Sequence, residues 1–227
     1  MGLALALKEG TKKSHSAAEN TKFVAGFLKG VLDPEQYRQL LTNFYYVYQT
    51  MEKQIRDCKD PLVKKICYPE LERVNGLERD LRYFYGPNWR ALQIPSEACN
   101  TYCYRINEVA NDNPYLLIAH HYTRYIGDLS GGQILRGIAE KALNPPKGEG
   151  LWFYDFPEVS DTKGFKASYR ETLDGLGLDE QQTNALIVEA NYAFRLNMYL
   201  FDEIQGSAAK GLLKTLFGFI KNGITSR

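Results

Sequence analysis

Apolar residues recur three and four places apart along almost the whole chain, and no segment keeps up the alternation of β-branched residues that a sheet needs. That restricts the fold to the all-α class, a single-domain multi-helix bundle in which each helix buries one stripe against its neighbours. The first helix is expected over residues 3–20. A second begins after Asp33, which can cap it, with Pro34 in the first turn where its missing N–H costs nothing. Pro69 opens a further helix that ends near Gly86, and another covers about 97–111. Pro114 starts a helix reaching about Leu143, where "NPPKGEG" stops it. Helices resume over 163–175 and, after the capping residue Asp179, over 180–206, followed by a weaker terminal helix near 208–221.

No Pro/Gly/Ser-rich linker divides the 227 residues, so one domain is expected over 1–227 with its core over about 5–206. Hydrophobic residues make up 44% and charged residues 24%, which supplies a core and excludes a disordered chain. A net charge of +1 gives no case for nucleic acid or for a general pull toward anionic membranes. One local basic patch stands out near the start, Lys8, Lys12, Lys13, Lys22 and Lys29; it is either a docking surface or a solvated helix face. The four cysteines lack zinc-site spacing and read as free thiols of a reducing compartment. Neither the opening apolar run nor "GLLKTLFGFIKNGITSR", broken by Lys214 and Lys221, reaches the roughly 20 apolar residues of a span. A cytoplasmic chain with no membrane anchor is expected.

The stretch "YTRYIGDLSGGQIL", residues 122–135, works against its own helix: Gly127, Gly131 and Gly132 each cost about 0.8–1.0 kcal/mol relative to alanine. Gly127 and Gly131 are i,i+4 and leave one face bare, fit either for a second helix or for a flat ligand. The consecutive Ser130-Gly131-Gly132 also lets the helix kink. Only three histidines exist, His15, His120 and His121. The last two share the glycine helix, about 10 Å upstream of Gly127 at 1.5 Å per residue, and cannot ligate a metal centred over the glycines. His15 lies elsewhere, among small residues in "TKKSHSAAEN", with Glu19 one turn on to accept its second ring N–H. It is either an ordinary ion-paired histidine or an axial ligand. A single imidazole opposite a bare backbone face fits haem, with the sixth position left for dioxygen.

"HSAAEN", "AHHYTRYIGDLSGGQIL", "FYGPNWR", "YPEL" and "EANYAFRLN" together resemble the haem oxygenase family, from about Leu5 to about Phe201. The resemblance implies a fold that sandwiches haem b between a proximal and a kinked distal helix. Haem is then both cofactor and substrate, opened at the α-meso carbon with dioxygen to biliverdin IXα, carbon monoxide and ferrous iron. It assigns His15 as the metal ligand, with Glu19 beside it, and Thr123, Gly127, Ser130, Gly131 and Gly132 to the distal haem contacts. Asp128 takes the position of the carboxylate that organises distal waters for proton delivery, with Arg124, Tyr48 and Asn197 around it; from spacing alone Arg124 and Asp128 would read as a surface i,i+4 pair. Lys8, Lys12, Tyr122, Lys166 and Arg170 fall at propionate-contacting positions, Arg170 being the better match for a carboxylate. Phe194 and Phe201 would wall off other meso edges, with core packing the other reading of Phe201.

His121 departs from the small residue found there in many relatives. Lacking the C-terminal span of animal microsomal members, the chain is similar to the soluble cyanobacterial and algal type. That type takes electrons from reduced ferredoxin, feeds bilin pigment synthesis, and sits in cytoplasm or, if algal, plastid stroma. Two further readings stay open: a haem carrier or sensor that keeps His15 without ring opening, and a non-haem, thiaminase-like all-α enzyme with a catalytic thiol.

Overall fold

The computed structural model describes residues 2–146 and 148–224, with side chains through residue 206. The described residues form helices and no strand: α1 (Leu3–Glu19), α2 (Lys22–Leu28), α3 (Pro34–Asp57), α4 (Pro61–Lys65), α5 (Val74–Tyr85), α6 (Trp89–Leu92), α7 (Glu97–Asp112), α8 (Leu117–His121), α9 (Gly131–Leu143), α10 (Thr162–Asp174) and α11 (Glu180–Ile224). Single 3₁₀ turns lie at Pro69–Leu71, Pro114–Leu116 and Trp152–Tyr154, and a π-helical turn at Tyr122–Ile126.

Local chemistry starts most of these helices. Asp33 accepts from the N–H groups of Glu35 and Gln36, both at 2.9 Å, with Pro34 behind it. Asp60 does the same for α4, Ser96 for α7 and Asp161 for α10. At α11 the device is reciprocal: Gln182 N–H donates to Asp179 at 2.7 Å and the Gln182 side chain accepts from Asp179 N–H at 3.1 Å. Each such cap stabilises its helix by about 1 kcal/mol. The long buried face of α3, including Tyr37, Leu41, Tyr48 and Met51, packs on α5, α7 and α11 and forms the centre of the core.

Three boundaries differ from expectation. Pro69 opens only a 3₁₀ turn; α5 starts at Val74 because the buried Glu52 of α3 accepts from the N–H groups of Arg73 (2.5 Å) and Val74 (3.3 Å). The helix expected from Pro114 to Leu143 is divided by the π turn and by a break at Leu129-Ser130, where Ser130 leaves helical geometry (φ −120°, ψ −89°). The terminal helix expected at 208–221 is the end of α11, which runs on to Ile224; its side chains there, and residues 225–227, lie outside the described set. The short helices α2, α4 and α6 were not anticipated.

α1 is fixed against α11 at close range. A Cβ on Gly10 would stand 2.6 Å from Ile187 Cγ2, so only glycine allows this approach. Ser14 Oγ donates to Asn191 Oδ1 at 2.5 Å, and Asn191 Nδ2 donates to Gly10 O at 3.0 Å. Asp174 of α10 accepts from Ala4 N–H at 2.8 Å and holds the start of α1. His15 is thereby carried on a helix anchored along its length.

Candidate functional site

The inner stripe of α1 contains the buried residues Leu7, Thr11 and Ala18. His15 falls on the same stripe, four residues after Thr11 and three before Ala18, yet its side chain is 56% exposed. The stripe therefore faces open space at that turn. Glu19 Oε2 lies 3.5 Å from His15 Nδ1, which leaves Nε2 directed elsewhere, and the Phe194 ring meets the imidazole edge-on at 5.7 Å.

The glycine segment approaches α1 at one point. The Tyr122 hydroxyl reaches Thr11, so α1 and the π turn touch one turn before His15. Beyond this contact the facing backbone is bare: Gly127, Ser130 and Gly131 are exposed, and a Cβ on Gly127 or Gly131 would meet no heavy atom within 4 Å. α2 packs on α9 and closes the far end. Gly132 is different; it is buried, with Gly127 O 3.6 Å and Tyr154 3.9 Å from its would-be Cβ, and serves the turn itself. Lys166 fastens the break from α10, its Nζ donating to Ser130 Oγ (3.2 Å) and Leu129 O (3.4 Å).

Beside the bare face, Tyr48, Arg124, Asp128 and Asn197 form one buried network. The Tyr48 hydroxyl donates to Asp128 Oδ2, and Arg124 donates to Asp128 Oδ1 at 3.2 Å, Tyr48 Oη at 2.9 Å and Asn197 Oδ1 at 2.7 Å. Asn197 in turn donates to Ala193 O at 2.8 Å and Tyr102 Oη at 3.4 Å. The guanidinium also lies 4.3 Å over the Phe44 ring. Burial raises the Asp128 carboxyl above its ordinary range, against the pull of the Arg124 charge and the Tyr48 hydrogen bond. Burial likewise pushes the Tyr48 phenol well up. For Arg124 burial works against the charge, but Tyr48, Asp128 and Tyr102 outweigh it and keep the guanidinium protonated. The i,i+4 pair that spacing alone would leave on the surface is thus interior.

The remaining sequence candidates divide by position. Lys8, Lys12, Glu19 and Arg170 are exposed, and Tyr122, half-buried, feels the Arg170 charge. Thr123 is buried with its hydroxyl unpartnered, so it does not open onto the cleft. Phe201 stacks on the buried Phe23 at 5.8 Å, in line with core packing, whereas Phe194 lies against His15. His120 and His121 are interior: His120 Nε2 meets Glu189 Oε1 at 2.9 Å, and His121 Nδ1 meets the Tyr169 hydroxyl at 2.8 Å.

Thr11, Tyr102, Glu189 and Asn191 shape the site without having been singled out. For Glu189 and Asn191 a signal was available in "EANYAFRLN", where Glu189 and Asn197, eight apart, put polar groups into an otherwise apolar helical stripe; Thr11 and Tyr102 lie outside that stretch. Among the described residues no group of three or more His, Cys, Asp or Glu could hold a metal. A metal over the cleft must therefore bring most of its own donors and take one imidazole from the protein. An iron porphyrin fits that donor set and the side-chain-free face opposite.

Residues 1–203 match the family profile described as Heme oxygenase. The chain is 49% identical to heme oxygenase 1 of Nostoc sp. over 216 residues, 95% of this chain and 91% of that one. It is 45% identical to heme oxygenase 1 of Synechocystis sp. over 228 residues, covering 100% and 93%. The crystal structure of heme oxygenase-1 from the cyanobacterium Synechocystis in complex with heme superposes with a TM-score of 0.90 at 45% identity, covering 97% of this chain and 100% of that one. A TenA homologue from P. horikoshii, at 12% identity and a TM-score of 0.65, shares the fold alone.

Proposed function

Because this chain belongs to the haem oxygenase family, we propose that it binds haem b between His15 and the glycine segment and opens the ring at the α-meso carbon. The products are biliverdin IXα, carbon monoxide and ferrous iron, with dioxygen as co-substrate and reduced ferredoxin as donor. What supports the reading is an imidazole exposed on an otherwise buried stripe of α1, together with Gly127 and Gly131 backbone that no side chain covers, on the segment that Tyr122 joins to Thr11.

When bound, haem supplies the iron that activates dioxygen and the carbon that is oxidised. The chain supplies geometry and a proton. His15 Nε2 would hold the iron, with Glu19 beside Nδ1 favouring the tautomer that leaves Nε2 free to ligate. Gly127 and Gly131 let the macrocycle and dioxygen approach main chain directly. Asp128, held by Tyr48 and Arg124, orients water above that face, so the proton arrives through a water and not from a strong side-chain acid. Asn197 keeps Arg124 in register for this task. Arg170, Lys8, Lys12 and Tyr122 line the open side, where propionates need cations and hydroxyls, and Lys166 joins them when its hold on Ser130 is exchanged for a carboxylate.

The ferredoxin assignment rests on charge. Lys8, Lys12, Lys13, Lys22 and Lys29 are exposed on α1 and α2, and none has an ion-pair partner among the described residues, leaving a basic rim for an acidic donor. The test is hemin titration followed by reduced ferredoxin in air. Loss of the Soret band with growth of biliverdin absorption is the expected result. A Soret band that forms and persists would make this a haem-binding protein only, and no band would remove the reading altogether.

A further inference from the structure

The reaction described above gives the buried His121 no task. His121 is 2% exposed, and its Nδ1 lies 2.8 Å from the hydroxyl of Tyr169, which is wholly buried; the two rings are nearly parallel at 8°. This pair lies within an aromatic ladder. Tyr48, in the Asp128 network, lies 5.7 Å from Tyr125; Tyr125 lies 4.4 Å from His121; and Tyr169 lies 5.6 Å from the half-buried Tyr68.

A buried phenol can be oxidised at modest cost only if its proton has somewhere to go. All four phenols of the ladder have acceptors, and these differ; the half-buried Tyr68 donates to the Thr172 hydroxyl at 2.9 Å. Tyr48 donates to Asp128 but receives a hydrogen bond from the Arg124 cation at 2.9 Å, which opposes the loss of an electron. Tyr125 reaches Glu52 at a longer 3.2 Å, and that carboxyl already leans toward its protonated form. Tyr169 faces a neutral imidazole and has no charged hydrogen-bond partner. Burial holds His121 down at about 3, so with the proton on Nε2 its Nδ1 is free to accept.

We propose that Tyr169 and His121 form a redox-active tyrosine–histidine pair, fed through Tyr125 and Tyr48, that takes up oxidising equivalents straying from the haem site. In that step the Tyr169 O–H bond breaks, the proton passes to His121 Nδ1, and the electron passes along the ladder to the haem-site oxidant, which is reduced by one electron. The products are a Tyr169 phenoxyl radical and a His121 imidazolium. An oxidised phenol is a strong acid, so the transfer runs downhill even to this imidazole. A small external reductant, such as ascorbate or a thiol, returns the electron through Tyr68, and the imidazolium returns the proton.

The inference rests on haem binding as proposed above, and the test separates the two. The ferric haem-loaded chain is treated with an organic peracid, frozen within milliseconds, and examined by electron paramagnetic resonance with ring-deuterated tyrosine. The wild type should give a tyrosyl signal that Tyr169→Phe abolishes and His121→Phe abolishes or moves, with Soret binding unchanged in both. Either variant serves if the other does not fold. The same signal in wild type and Tyr169→Phe, or no tyrosyl signal in the wild type, overturns the pair. If the chain takes up no haem, the functional reading falls; near-ultraviolet photo-oxidation of the apoprotein, comparing wild type with Tyr169→Phe, then decides the pair by the same signals.

Discussion

Replacing Gly127 by alanine should move two properties in opposite directions. Gly127 has helical dihedrals (φ −64°, ψ −47°), and a Cβ there meets nothing within 4 Å. Alanine therefore adds no clash and removes the conformational freedom that glycine loses on folding, a gain of about 0.4–1 kcal/mol. In a chain of this size about 1 kcal/mol raises Tm by roughly 2–4 °C. The new methyl, however, stands on the face proposed above to receive the macrocycle. Crowding a fitted contact by one carbon costs about 1–3 kcal/mol, or roughly 5–150-fold in affinity. Thermal unfolding of the apoprotein reads the first effect, and a Soret titration of hemin the second. A variant that is more stable but binds haem with unchanged Kd would refute the assignment of this face as the haem floor. A variant that is less stable would refute the openness of the face itself.

Three further outcomes follow from named contacts. His15→Ala should lose the axial-histidine spectrum of bound haem, and added imidazole should restore it; an unaltered spectrum without imidazole would remove the proximal assignment. Arg124→Ala leaves the buried Asp128 carboxylate without its cation and should cost about 3–5 kcal/mol in urea unfolding, where a surface pair would cost under about 1. Glu52 is held near 7, chiefly by burial, against an ordinary 4.5. A folded-state value above the unfolded one means its stabilising contribution is fully present below about 4.5 and lost as pH rises through about 7, roughly 3 kcal/mol in all. Glu52 Oε2 has no partner, as fits a protonated acid, so Glu52→Gln should flatten that pH dependence in denaturation curves taken from pH 4 to 8. Parallel curves for the two proteins would contradict the shift.

What was legible in the sequence had local causes. Asp33-Pro34, Asp179 and the glycine after α5 mark helix ends because their bonding partners lie within a few residues. The start of α5 was not legible, since a carboxylate 21 residues earlier supplies its cap. The same division holds in the site. His15 could be singled out because so few imidazoles exist and Glu19 is one turn away. The interior position of Arg124 could not, because an i,i+4 pair looks the same on any helix face, and what buries it comes from Tyr48 and Asn197, 76 and 73 residues distant.

That distance explains how a segment so poor in helix-forming residues keeps its shape. Gly127, Gly131 and Gly132 forgo roughly 2.5 kcal/mol of intrinsic helical stability, and the face toward the cleft has no contact to offset it. The stabilisation comes from residues that flank the glycines. Arg124 ties the segment to α3 and α11, Lys166 ties Ser130 to α10, and Gln133 donates to Tyr154 O at 2.9 Å. The segment bearing Tyr154 is itself held by Asp80, which accepts from the N–H groups of Trp152 and Phe153 at 2.9 and 2.8 Å. Substitutions at these anchors should therefore disturb the glycine face without touching it, so a loss of haem affinity in an Asp80 or Gln133 variant would report distortion of the backbone floor and not a lost contact with haem. The bare face keeps its shape because restraints on Arg124, Ser130 and Gln133 fix the backbone around Gly127 and Gly131.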